Sequence, residues 1–161
     1  MKKAIAIGML GLVLFSNRAA AQTAVEQGRI LSDFQRSVVN YTERHKCLEM
    51  FPEAISANTP APKVFTLPVA MVFRQLIARA VAMPDAPAIG GVGTRHHATV
   101  LRPFPTNELY EFPRILSDAL PTMPAPLEYR LIGDDLVIRD ADADLVVAVL
   151  RDALGTITTR H

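Results

Sequence analysis

Leu127-Glu-Tyr-Arg-Leu-Ile-Gly133-Asp-Asp135-Leu-Val-Ile-Arg-Asp140-Ala-Asp-Ala-Asp-Leu145-Val-Val-Ala-Val-Leu150 is the stretch that decides the fold class. Two apolar runs, Leu127–Ile132 and Leu136–Asp140, flank Gly133-Asp134-Asp135, and Gly with Asp between such runs signals a β-hairpin. The third run, Leu145–Leu150, is rich in β-branched residues and suits a strand. Leu145, Val146, Val149, Leu150 and Leu154 also fit one helical face, so the period alone leaves this run open between strand and helix. We read it as a third strand, which makes residues 127–150 a small antiparallel hairpin or three-stranded meander.

Upstream the period changes from two to three or four. Between Val25 and Leu48, the positions Ile30, Phe34, Val38, Tyr41, His45 and Leu48 recur at helical spacing, with Arg29, Asp33, Arg36, Asn40, Glu43 and Arg44 on other faces. The prolines from Pro52 to Pro62 cannot continue that helix and mark a connector. A second helix is expected over 66–83, with Thr66 as its cap and Pro68 in its first turn. Its apolar face is Val69, Val72, Phe73, Leu76, Ile77, Ala80 and Val81. Residues 84–112 hold no sustained period and read as an irregular stretch whose length suggests a binding loop. A short helix over 113–120, begun by Pro113 and ended by Pro121, leads into the sheet. The expected fold class is therefore α+β, N-terminal amphipathic helices followed by the C-terminal β-meander.

The amino terminus reads as an address. Lys2 and Lys3 precede a 12-residue apolar run, Ala4–Phe15, and Ala19-Ala20-Ala21 supplies small residues before Gln22. This is the pattern of a secretory signal peptide, residues 1–21, cleaved after Ala21, and the run is far short of the roughly 20 residues that span a bilayer. The precursor carries 17 Lys and Arg against 16 Asp and Glu. Loss of Lys2, Lys3 and Arg18 leaves 14 against 16, a net charge of −2. The basic balance thus belongs to the targeting segment and gives no support for nucleic-acid binding. Residues 22–161 suit one small domain, expected to be soluble in the periplasm or secreted, with no later membrane-spanning run. Cys47 is the sole cysteine, so no internal disulfide forms, and Gln22 stands where a lipoprotein needs cysteine.

The run Leu127–Asp140 with Leu145–Leu150, preceded by Ala119-Leu120-Pro121 and Pro124, resembles a family of uncharacterised, exported bacterial proteins. Their signature is a Pro-rich step, then Leu-Glu-Tyr-Arg-x-x-Gly-x-Asp-Leu-Val-x-x-Asp, then Leu-Val-Val-x-Val-Leu. Weaker likeness reaches Phe34-Gln35-Arg36, Val64-Phe65-Thr66 and Val72-Phe73-Arg74. The chain departs from that family at Asp134, where Arg is usual, and at Ala148, where Asp is usual. The same meander is similar, less specifically, to small periplasmic proteins linked to nickel and cobalt homeostasis. These resemblances imply strand at Leu145–Leu150 and carry no catalytic mechanism or residue role.

Two chemistries deserve a place among the candidates. Asp140, Asp142 and Asp144, with Asp134 and Asp135, offer oxygen ligands to a hard cation, but Leu145 and Arg151 stand where a calcium loop needs Gly and Glu. Aspartates also build turns by bonding their own backbone, which is the commoner use. His45, Cys47, His96 and His97 are softer ligand candidates, with a spacing that converges only if 84–112 folds onto the first helix. No serine lies in a nucleophile elbow, and Gly90-Gly91-Val92-Gly93 matches neither phosphate-loop pattern. No catalytic residue and no cofactor is assigned. The expectation is a non-catalytic accessory protein that binds an envelope partner through its amphipathic helix or free sheet edges, with divalent-metal binding as the alternative.

Overall fold

A computed structural model describes residues 9–50, 63–84, 89, 98–105 and 110–155, with side chains of the first helix from Thr23 to Arg44. The elements are α1 (Met9–Met50), α2 (Leu67–Val81), α3 (Arg114–Ala119), β1 (Leu127–Ile132), β2 (Asp135–Asp140) and β3 (Leu145–Leu150). The α+β class and the third strand are as expected from sequence.

The sheet is antiparallel in the order β1-β2-β3. Gly133 has φ 56° while Asp134 does not share a positive φ, the pattern of a two-residue turn with glycine first. Ile132 pairs with Asp135 and Leu127 with Asp140, so Leu127, Tyr129, Leu131, Leu136 and Ile138 fall on one face. Between β2 and β3 the register slips. Ile138 pairs with Ala148 but Arg139 with Val146, leaving Val147 as a bulge. Val147 and Ala148 consequently both enter the helix-side core, while Val146 faces the other way. That shift explains why Leu145–Leu150 shows no clean alternation in sequence.

The helices cover the first face. On α1, Phe34, Val38 and Thr42 are buried at intervals of four, with Ile30, Leu31 and Tyr41 packed alongside. On α2 the buried residues are Val69, Ala70, Val72, Phe73, Ile77 and Ala80. Phe73 joins the layers: its ring lies 4.7 Å from Phe34, 5.3 Å from Phe65 and 6.2 Å from Tyr129. Burying such a ring contributes about 2–3 kcal/mol through removal of apolar surface from water.

Four sequence expectations are corrected. The first helix starts well before residue 25 and continues to Met50, because Met9–Met50 contains no proline to stop it. Thr66 occupies the N-cap of α2 but makes no side-chain cap bond; its carbonyl accepts from the Ala70 amide at 2.8 Å. Pro113 is the N-cap of α3 instead of its first helical residue. Finally, residues 98–105 are not merely irregular. Leu101 N–H donates to the Val146 carbonyl at 2.8 Å, Val146 N–H to Arg102 at 2.9 Å, and Phe104 N–H to Asp144 at 3.0 Å. This segment occupies the outer edge of β3 and buries Ala98 and Phe104 against Ile132, Val137 and Val146 on the second face. The edge expected to be free is therefore covered. The rest of the irregular stretch expected over 84–112, apart from Pro84, Ile89 and 110–112, lies outside the described residues.

Candidate functional site

Asp140 ends β2 with no exposed surface. Its Oδ1 accepts from the amides of Asp142 at 3.1 Å and Ala143 at 3.0 Å, and its Oδ2 accepts from the Tyr41 hydroxyl at 3.2 Å. The carboxylate thus closes the β2–β3 turn and ties α1 to the sheet. Burial, reinforced by the adjacent Asp140 charge and hydrogen bond, pushes the Tyr41 hydroxyl well above its ordinary range. Asp142 is exposed, and Asp144, at φ 51°, accepts Arg139 at 2.7 Å. The three aspartates considered as oxygen ligands are thus divided between a turn, solvent and an ion pair. Among the described residues no group of three or more His, Cys, Asp or Glu side chains gathers around a common point. The side chains of His45 and Cys47, and residues His96 and His97, lie outside the described residues.

Arg139 organises the second face. It donates to Glu128 at 2.6 Å and to Asp144, and its guanidinium lies 5.4 Å from the Phe104 ring centre. Arg130 reaches the same Glu128 at 2.7 Å. Burial pushes Glu128 up, but the bonds from Arg130 and Arg139 outweigh it and hold the carboxyl below the usual range. At the opposite end, buried Asp135 accepts Arg151 at 2.5 Å and the Asp152 amide at 2.9 Å, while Arg151 also donates to the Ala98 carbonyl at 2.6 Å. These pairs staple the hairpin turn to the segment after β3. They perform architecture, since each charge is matched locally.

Nucleophile chemistry finds no setting among the described side chains. Ser37 Oγ donates to the Asp33 carbonyl at 3.0 Å, and Ser32 and Ser117 are exposed. Two shallow depressions, of about 460 Å³ over Pro126, Glu128 and Asp142 and about 220 Å³ over Arg102, Pro103 and Ile132, contain no convergent reactive set.

The surface that stands out is the outer side of α2. Leu67 is 74% and Met71 55% exposed, one helical turn apart, and Ala78 and Ala82 are exposed further along the same side. Arg74 donates to the Arg151 carbonyl at 2.8 Å, and α2 contains no acidic residue. Sequence reasoning named the buried face of this helix and passed over the opposite one. The signal was there: Arg74, Gln75 and Arg79 are its sole polar side chains, and a helix apolar nearly all round calls for cover on both sides.

No helix, among the described residues, is long and apolar enough to cross a membrane. Comparison with family models, with curated proteins and with solved structures finds no match.

Proposed function

We propose that this chain is an exported, non-catalytic interaction protein that holds an envelope partner on the outer face of α2. The observation that carries the reading is the pair Leu67 and Met71, large apolar side chains left in water at consecutive turns of a helix whose other side is fully packed. Isolated exposed apolar residues are ordinary, but an aligned stripe favours association. Support for export comes from the signal pattern of residues 1–21 and from the resemblance of residues 127–150 to exported bacterial proteins.

Crosslinking of the tagged full chain at natural expression in its native host, followed by pull-down and mass spectrometry, tests both halves. One reproducible partner attached to a chain beginning at Gln22 is the expected result. A lone monomer overturns the interaction function, and a recovered chain that keeps residues 1–21 overturns the export.

A further inference from the structure

The outer face of α2 has a spacing that specifies its occupant. Leu67, Met71, Arg74 and Ala78 follow one another at intervals of four, three and four, the repeat by which one helix seats another, before Val81 turns in toward the core. Leu67 and Met71 supply projecting side chains, and Ala78 lets a second backbone approach closely. Arg74 stands at the centre of this seam. Its guanidinium is held by the Arg151 carbonyl, a neutral acceptor, and among the described residues no carboxylate pairs with it or with Arg79.

We infer that this face seats an amphipathic helix of another protein, one that carries an aspartate or glutamate at its midpoint opposite Arg74. Charge decides against the other occupants. A second copy of this face offers Arg74 no carboxylate at any register, since α2 contains none, and a parallel pair or an antiparallel pair centred on Arg74 sets like charges together. An anionic bilayer would gain from only two cations, about 1 kcal/mol each, and the outer face of α2 lacks the aromatic residues that settle interfacial helices, its one aromatic ring, Phe73, being buried in the core. A carboxylate on a partner helix completes the one unmatched charge in an otherwise apolar strip, which fixes register as well as partner.

This inference rests on the interaction function proposed above, and the experiment separates the two. A photoreactive residue replaces Met71 in the full chain, and in a parallel chain Asp118 on α3, with crosslinks formed in the native host and sequenced. The expected product comes from position 71 and maps to a partner segment of helical amphipathic pattern with a central Asp or Glu. Arg74→Glu lowers its yield at least about tenfold through like-charge repulsion, and Arg74→Gln, which keeps a donor for Arg151, lowers it less. A product from position 71 that is a second copy, a lipid, or a segment without a carboxylate overturns the inference. Products from position 118 alone overturn it too while leaving an interaction function standing. Silence at both positions, together with a negative pull-down of the unsubstituted chain, removes both.

Discussion

Replacement of Asp140 by alanine tests whether one buried carboxylate joins the helical layer to the sheet. The substitution removes the acceptor that Asp140 offers to the Tyr41 hydroxyl and to the amides of Asp142 and Ala143. A hydrogen bond to a charged group contributes about 1.5–3 kcal/mol, and a buried donor left without a partner costs about 1–3 kcal/mol. The sum overstates the loss for two reasons. Asp142 and Ala143 are exposed, so their amides regain water, and removal of the carboxylate also removes the cost of having buried it. We therefore expect a net loss of about 2–4 kcal/mol, a large share of the 5–15 kcal/mol typical of a domain. At about 4 °C per kcal/mol, the midpoint falls by about 8–16 °C. Tyr41→Phe keeps the ring in place and removes one donor, for an expected loss of about 1–2 kcal/mol. Urea unfolding followed by circular dichroism measures both variants and the double variant. The double variant should lose less than the sum of the singles, by about 1 kcal/mol, because the two residues share one bond. A loss below about 0.5 kcal/mol for Asp140→Ala, or strict additivity with Tyr41→Phe, refutes the tie between α1 and β2.

Two further perturbations probe the core and the second face. Phe73→Ala removes the ring that touches Phe34, Phe65 and Tyr129, and should cost about 3–5 kcal/mol in the same unfolding assay; a loss under 1 kcal/mol means the core does not centre on it. Glu128, held below its ordinary 4.5 by Arg130 and Arg139, contributes stability that is fully present above that value and is lost as pH falls through the lower folded value. Denaturant midpoints recorded down through this acid range should therefore fall less steeply in Glu128→Gln than in the parent, and parallel curves would show that the carboxylate is unpaired in solution.

The sequence was readable wherever a local pattern had one solution. Gly133-Asp134 between two apolar runs has few alternatives to a hairpin, and Phe34 with Val38, or Phe73 with Ile77, places an apolar face by spacing alone. Leu145–Leu150 was less readable because both its faces are covered, and the bulge at Val147 breaks the alternation a half-buried strand would show. The acidic run 140–144 shows the limit more sharply. Asp140, Asp142 and Asp144 are alike in sequence, yet one is buried under Tyr41, 99 residues away, one faces water and one pairs with Arg139.

Local chemistry by itself determined the helices, the hairpin and their inward faces, because backbone geometry ties side-chain direction to spacing along the chain. Tertiary structure alone decided which charges are matched, that 98–105 closes the edge of β3, and that Leu67 and Met71 are left outside. Those properties depend on what approaches from distant parts of the chain, and no periodicity records an approach.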